Sequence, residues 1–245
     1  MNILLANRSV AHADAKGFIQ IMNRMTGHIL LLAGAIAPVL WALTTYYIAT
    51  LIPEYSHSRQ FISELGETGS VTEPLKRYIA NYPIGILYIG FGAFIVFAGW
   101  SNKFVASTGL LIIVHDLTNI ATGMFPCDPG CLPSTPSLAQ KIHNISAATG
   151  LCALLLFVFL WAFFANKITS ARYLKAYSIA TVAIAAISIA LMIVAMKTHG
   201  MIGLYQRISV GSLYLWLMCG ILCHDDPRNM GSTGVHWPTD IKLIY

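Results

Sequence analysis

The stretch FVASTGLLIIVHDLTNIATGMF, residues 104–125, decides how this chain folds. It is apolar for about the 20 residues a helix needs to cross the hydrocarbon core of a bilayer. Yet His115, Asp116, Thr118 and Asn119 sit inside it. Ionisable groups at that depth are costly, and they face a bundle interior or a watery cavity. The stretch therefore reads as a spanning helix that carries a sequestered polar site.

The rest of the chain agrees with a membrane setting. Hydrophobic residues make up 56% and charged residues 10% of its 245 residues, against about 25% charged in a soluble domain. The formal net charge of +5 is scattered and forms no basic patch with interleaved aromatics, which argues against a nucleic-acid partner. Residues 1–25 carry Arg8, Asp14, Lys16 and Arg24 and lack the compact apolar core of a cleavable signal. The first span is expected to act as its own insertion signal.

Apolar runs predict six spans, at 28–52, 80–100, 104–125, 143–165, 172–196 and 204–223. The expected architecture is all-α: a polytopic bundle of six transmembrane helices, with a short outward-facing helix or loop between the first two. Around this domain of residues 26–223 lie an N-terminal segment, 1–25, and a tail, 224–245. Ser101, Asn102 and Lys103 alone separate the second and third spans, so these should form a tight antiparallel hairpin.

Lys and Arg beside the spans set the orientation. Arg8, Lys16, Arg24, Lys103, Lys167, Arg172 and Lys175 mark one side. The longer connections, with Glu54, Glu64, Glu67, Glu73 and Asp128, mark the other; Lys197 and Arg207 count the opposite way. The expected location is a cell membrane, that of a bacterial inner membrane, with both termini cytoplasmic.

Three outward segments hold the unusual residues. In the first, Phe61, Ile62 and Leu65 fall at helical spacing, while His57, Arg59, Gln60, Ser63 and Glu64 supply polar groups. A short interfacial helix and a solvated loop both fit. In the second, Cys127 and Cys131 lie in a loop rich in Pro and Gly. An oxidising compartment favours a disulfide there; the alternative is a metal pair, although zinc sites usually need four ligands. The third brings His143, with Asn144, to the start of the fourth span. His115, Thr118, Asn119 and Thr122 share a helical face, so a polar stripe should run outward along the third span. Hydrogen-bonded glue between helices explains the Thr and Asn members equally well. Asp116 differs, because an uncompensated carboxylate must be protonated, paired or hydrated; His115, His143, Arg59 and Arg207 are its candidate partners. His199 and Gln206-Arg207 lie at the mouth of the sixth span, where Arg207 suits an anionic headgroup or pairing with Glu64 or Asp116.

Four short motifs occur in order: Ile62-Ser-Glu-Leu-Gly66, Gly123-Met-Phe-Pro-Cys-Asp128, then His143, then Gly203-Leu-Tyr-Gln-Arg207. Together they resemble a prokaryotic six-helix membrane family catalogued as a domain of unknown function, number 998. That resemblance covers the chain from about the first span to the sixth and implies the fold without an activity. A weaker likeness is to the alkaline ceramidases and the progestin and adiponectin receptors, with Ser63, His57 and Asp116 in the matching parts. The HxxxH pair of those hydrolases is missing from the last span.

The expected function is a polar site open to the extracytoplasmic side that binds or moves a lipid or small amphiphile, with Arg59, Asn119 and Arg207 as binding residues. An intramembrane hydrolase is the alternative, with Asp116, His115, His143, Ser63 or Glu64 as catalytic candidates. Zinc is its possible cofactor, on His57, His115, His143 or His199. Bis-imidazole haem fits poorly, since only His115 lies deep. The small residues Ala180, Ala183, Ala185, Ala186, Ser188 and Ala190 would also suit a structural or assembly subunit; oligomeric state stays open.

Overall fold

The computed structural model describes the backbone of residues 2–168, 172–198 and 200–222, and side chains of 26–163, 173–198 and 200–221. His199, Cys223 and the tail 224–245 lie outside the described residues. Six long helices follow one another: α1 Asn2–Ala49, α2 Glu73–Ala98, α3 Lys103–Met124, α4 Leu138–Ile168, α5 Arg172–Thr198 and α6 Ile202–Leu222. The described residues contain no strand. Five of the helices are long and apolar enough to cross a membrane. The sixth, α6, is of similar length but carries Gln206, Arg207, Ser209 and Ser212. Successive helices pack as antiparallel neighbours, and α6 returns to pack on α1, closing the bundle. The chain is a polytopic helical membrane bundle.

Boundaries differ from the sequence expectation where the local chemistry permits a longer helix. The first helix starts at Asn2 rather than 28 and runs through Pro38 to Ala49. Nothing in residues 2–25 breaks a helix, since the stretch has no Pro and only Gly17. A helix between neighbours tolerates Pro38 because its freed carbonyl can be satisfied locally. The second helix begins at Glu73, with Pro74 in its first turn, and widens into a π-helical turn over Lys76–Asn81 before continuing from Tyr82. Its first turn is held by an ion pair, Arg77 Nη2 to Glu73 Oε1 at 2.7 Å.

The α2–α3 hairpin expected from its short connection forms through glycines. A Cβ on Gly92 would meet the Gly109 carbonyl oxygen at 2.8 Å, and one on Gly109 would meet that of Gly92 at 2.7 Å. The two backbones touch there, as small residues allow in membranes. Asn81 adds polar glue: its Nδ2 donates to the Asn119 carbonyl at 3.0 Å and to Thr122 Oγ1 at 3.1 Å. The packed interior centres on Tyr88, Phe91, Ile112, Leu154, Leu213 and Trp216. Opposite faces expose Ile29, Leu43 and Tyr46 on α1, and Ile184, Ile187 and Val194 on α5, a lipid-facing belt. In α5, Ala185 and Ser188 turn inward, whereas Ala180, Ala183, Ala186 and Ala190 face out.

Replacing Gly109 with Ala should lower stability by about 1–3 kcal/mol, because neither backbone can retreat. Gly211, where a Cβ meets nothing within 4 Å, is the control, and its Ala variant should keep the parental melting temperature in detergent.

Candidate functional site

Antiparallel order gathers the end of α1, the starts of α2, α4 and α6, and the ends of α3 and α5 at one face of the bundle. Both long connections, 50–72 and 125–137, lie on this loop face. The first connection is neither a regular helix nor a solvated loop. Apart from a four-residue 3₁₀ helix at Ser63–Gly66 it consists of turns, yet Phe61, Ile62 and Leu65 are buried.

Buried turns leave backbone groups that must find partners, and α6 supplies them. Leu204 N donates to the Ser58 carbonyl at 2.9 Å, and Ile62 N to Gln206 Oε1 at 2.7 Å. The Arg207 guanidinium donates to the carbonyls of Gln60 and Gly203, both at 3.0 Å, and to Tyr55 Oη at 2.7 Å. It also stacks over the Tyr55 ring, 5.6 Å from its centre. Tyr55 Oη in turn donates to the Phe61 carbonyl at 2.7 Å. Gly203 is required for this approach, because a Cβ there would collide with the Gln60 carbonyl oxygen. Arg207 therefore makes no ion pair with Glu64 or Asp116, contrary to one sequence expectation. Its donors are committed to carbonyls and a phenol.

Glu64 folds back on its own turn. Its Oε1 accepts from Phe61 N and its Oε2 from Gln60 Nε2, each at 2.8 Å. Burial nevertheless raises its pKa above the usual 4.5, against those two bonds. Burial likewise raises the Tyr55 phenol, with Arg207 opposing, and lowers the His57 imidazole, with the Arg207 charge adding to the effect. His57 stacks on Tyr46, ring centres 6.0 Å apart, and meets Tyr55 edge-on at 5.4 Å. Arg59 is exposed and Ser63 half-buried. Between the end of α1 and this segment lies a cleft of about 130 Å³, lined by Leu51, Ile52, Pro53, Val71, Tyr55, Gln60, Glu64, Glu67, Ser70 and Thr72.

The second connection packs on the first. Cys127 and Cys131 form a disulfide with Cα atoms 5.1 Å apart. Both are buried with Phe61, Ala195 and Ile202. Thr68 N donates to the Cys127 carbonyl at 2.8 Å, and Gly130 N to Glu67 Oε2 at 2.7 Å. Gln140, fully buried on α4, accepts from Asp128 N at 2.7 Å and donates to Asn144 Oδ1 at 2.7 Å. Asp128 accepts from Ser137 Oγ and N at 2.6 and 2.9 Å, which holds its carboxyl below the ordinary 3.8. His143 Nδ1 donates to the Phe125 carbonyl at 2.9 Å.

Deep in the bundle, His115 and Asp116 are both buried. His115 Nδ1 lies 2.9 Å from the Gly150 carbonyl and Nε2 lies 3.0 Å from Tyr214 Oη. Thr118 Oγ1 donates back to the His115 carbonyl at 2.7 Å. Asp116 is 0% exposed and neither carboxyl oxygen has a hydrogen-bond partner. The histidines do not converge: His143 is two helical turns from Gly150, roughly 10 Å along α4, and His57 sits on the loop face. Among the described residues no three His, Cys, Asp or Glu side chains gather as metal ligands. Sequence reading passed over Asn81, Tyr88, Gln140 and Tyr214. The signal in each was a polar group within a predicted span or at its mouth.

Fold and loop face define a class: a six-helix membrane protein whose two long connections form one hydrogen-bonded platform. The chain belongs to the family described as "Protein of unknown function (DUF998)", which it matches over residues 35–222. No curated protein and no solved structure matches it.

Substituting Arg207 with Gln should release residues 55–62 from α6, since bonds to a charged group contribute about 1.5–3 kcal/mol each. Amide hydrogen exchange should rise at residues 56–66 while α2 and α3 stay protected. Asp128 sets a second expectation. A depressed folded pKa adds stability that is present above the unfolded value and lost as pH falls through the folded one. Acidification below 3.8 should thus lower the melting temperature of the parent but not of Asp128→Asn.

Proposed function

We propose that the loop-face cleft binds the headgroup of a lipid or small amphiphile, at the extracytoplasmic surface of a prokaryotic cell membrane. The observation that carries this reading is the two-sided lining of the cleft. Leu51, Ile52, Pro53 and Val71 give an apolar wall, and Tyr55, Gln60, Glu64, Glu67, Ser70 and Thr72 a polar one. A volume of about 130 Å³ is close to the roughly 150 Å³ of a cavity that holds one benzene-sized ligand. That suits a headgroup and not a whole lipid. The exposed Leu43, Tyr46 and Tyr47 of α1, with Leu51 just after it, lead from the cleft into the lipid-facing belt, where an acyl chain would lie.

The chemistry of the wall favours a particular headgroup. Glu64 and Glu67 both line the cleft, while the Arg207 donors point at Tyr55 and backbone carbonyls. An amine or a hydroxyl-rich head suits these acceptors better than a bare anion. The paired cysteines at the same face support its placement in an oxidising compartment. An even number of spans then leaves both termini in the cytoplasm, as the Lys and Arg distribution also favours.

Native mass spectrometry of the protein from vesicles of phosphatidylethanolamine and phosphatidylglycerol tests this. The ethanolamine lipid should be retained preferentially, and Glu64→Gln with Glu67→Gln should abolish the preference. Retention of an amine should strengthen as pH climbs from 4.5 through the raised Glu64 value, because only the carboxylate attracts it. Identical retention by parent and double variant at every pH would sink the proposal.

A further inference from the structure

The loop Cys127-Asp-Pro-Gly-Cys131 is closed on itself by its own disulfide. Pro129 fixes one backbone dihedral, and the two residues after it are both left-handed, Gly130 at φ +73° and Cys131 at φ +54°. Glycine takes that conformation freely, whereas a residue with a Cβ keeps it only where its surroundings hold it there. For Cys131 two ties do so: its amide donates to the Asp128 carbonyl at 2.8 Å, and its sulfur is bonded to Cys127. Backbone amides presented by such turns make concave sites for anions. The Gly130 N–H is used in that way, donating to Glu67 Oε2 at 2.7 Å.

A second bond fixes the register. Thr68 N donates to the Cys127 carbonyl at 2.8 Å, so the small ring grips residues 67 and 68 through both of its ends. Its other side is fastened independently to α4. Gln140 Oε1 accepts from Asp128 N at 2.7 Å and Gln140 Nε2 donates to the Cys131 carbonyl at 3.3 Å. Cutting the sulfur bond therefore leaves the loop seated on α4 and loosens the part that faces Glu67.

The two carboxylates of the cleft are not equivalent. Glu64 gives one oxygen to Phe61 N and the other to Gln60 Nε2. Glu67 has only Oε2 held; its Oε1 has no partner among the described residues, and no described Lys or Arg pairs with it. Glu67 thus brings a fixed carboxylate with one open oxygen to the cleft it lines.

We propose that Glu67 is the residue that selects the ammonium of a bound headgroup, and that the Cys127–Cys131 loop is its positioning device, acting through the Gly130 amide. The inference rests on the headgroup reading of the cleft and assigns its selectivity to one carboxylate and one ring. The loop touches no ligand itself. It holds Oε2, which leaves Oε1 to meet the ammonium, and the disulfide keeps the left-handed turn from relaxing away from Glu67.

Native mass spectrometry of the full chain from vesicles of phosphatidylethanolamine and phosphatidylglycerol tests this on four proteins: the parent, Glu67→Ala, Cys127→Ala with Cys131→Ala, and all three changes together. Glu67→Ala and the cysteine pair should each lower the ratio of ethanolamine to glycerol lipid about tenfold, the worth of one bond to a charged group. Retention of the glycerol lipid should not change, and the triple variant should lose no more than either parent variant. Amide exchange over residues 127–131 should also rise in Glu67→Ala, a readout that stands should the cysteine variant fail to fold. An undiminished preference in the cysteine variant, additive losses in the triple variant, or unchanged exchange in Glu67→Ala would overturn the proposal and leave the headgroup reading intact. An equal fall in both lipids would overturn it too, by making the ring merely structural. Equal retention of the two lipids by the parent would remove the headgroup reading and this assignment together.

Discussion

No water is available at bilayer depth to satisfy a polar group, and that constraint organises most polar contacts described in this bundle. Three kinds of answer occur. Ser and Thr side chains turn back onto their own helix, as Thr108 does to Val105 at 2.7 Å. Others bond across helices: Asn81 reaches Asn119, and Trp216 Nε1 donates to Ser178 Oγ at 2.9 Å. His115 combines with Gly150, whose lack of a side chain brings its carbonyl within reach; a Cβ there would strike Thr118 Oγ1. The second and third answers join two helices as well as satisfying a donor, so in them polar satisfaction and helix packing are the same feature.

The loop face meets the same demand with backbone instead of side chains. Residues 50–72 are too irregular to satisfy themselves, and their donors and acceptors are taken up by Gln206 and Arg207 on one side and the disulfide loop on the other. Charged groups differ in weight here. Arg59 is exposed and free to move, and such surface charges contribute little. Arg207 is half-buried with four contacts, so its loss would strand three acceptors. The platform that shapes the cleft thus depends on α6, the one of the six helices not among the five long and apolar enough to cross a membrane.

Helix number, order and the tight α2–α3 hairpin were legible in the sequence, because long apolar runs and a short polar break leave few alternatives. Burial of Asp116 was legible for the same reason. Convergence of Ile62–Gly66, Cys127 and Gly203–Arg207 could be suspected from their shared face, but their bonds could not. Those involve backbone atoms of the first connection, met by other backbone atoms or by the Gln206 and Arg207 side chains, and backbone atoms carry no residue-specific signal. Expected partners for Arg207 were carboxylates, and the structure provides carbonyls and a tyrosine. Opposite charges suggest pairs on paper, whereas Glu64 is already occupied by its own turn. Tyr88 and Tyr214 were passed over because a tyrosine in an apolar run resembles any buried aromatic. Only packing reveals that the two rings lie 5.5 Å apart and that the Tyr214 hydroxyl meets His115 Nε2.

The stripe from His115 to Thr122, read from sequence as a polar path to the surface, is in fact divided. Its lower part, His115, turns to α4 and α6, while Asn119 and Thr122 turn to Asn81 on α2. The Asn81–Asn119–Thr122 cluster is tied by direct bonds through Asn81 Nδ2, its Oδ1 staying without a partner, and lies between Asp116 and the loop face. Asp116 to the end of α3 is eight residues, roughly 12 Å of helix. A charge or solute moving between the buried carboxyl and the cleft must therefore break that cluster or bypass it. The cluster acts as a seal whose opening would need α2 and α3 to part, and the touching backbones at Gly92 and Gly109 oppose any such parting at the other end of the hairpin. Separation of the two sites is thus built into the closest-packed pair of helices in the fold.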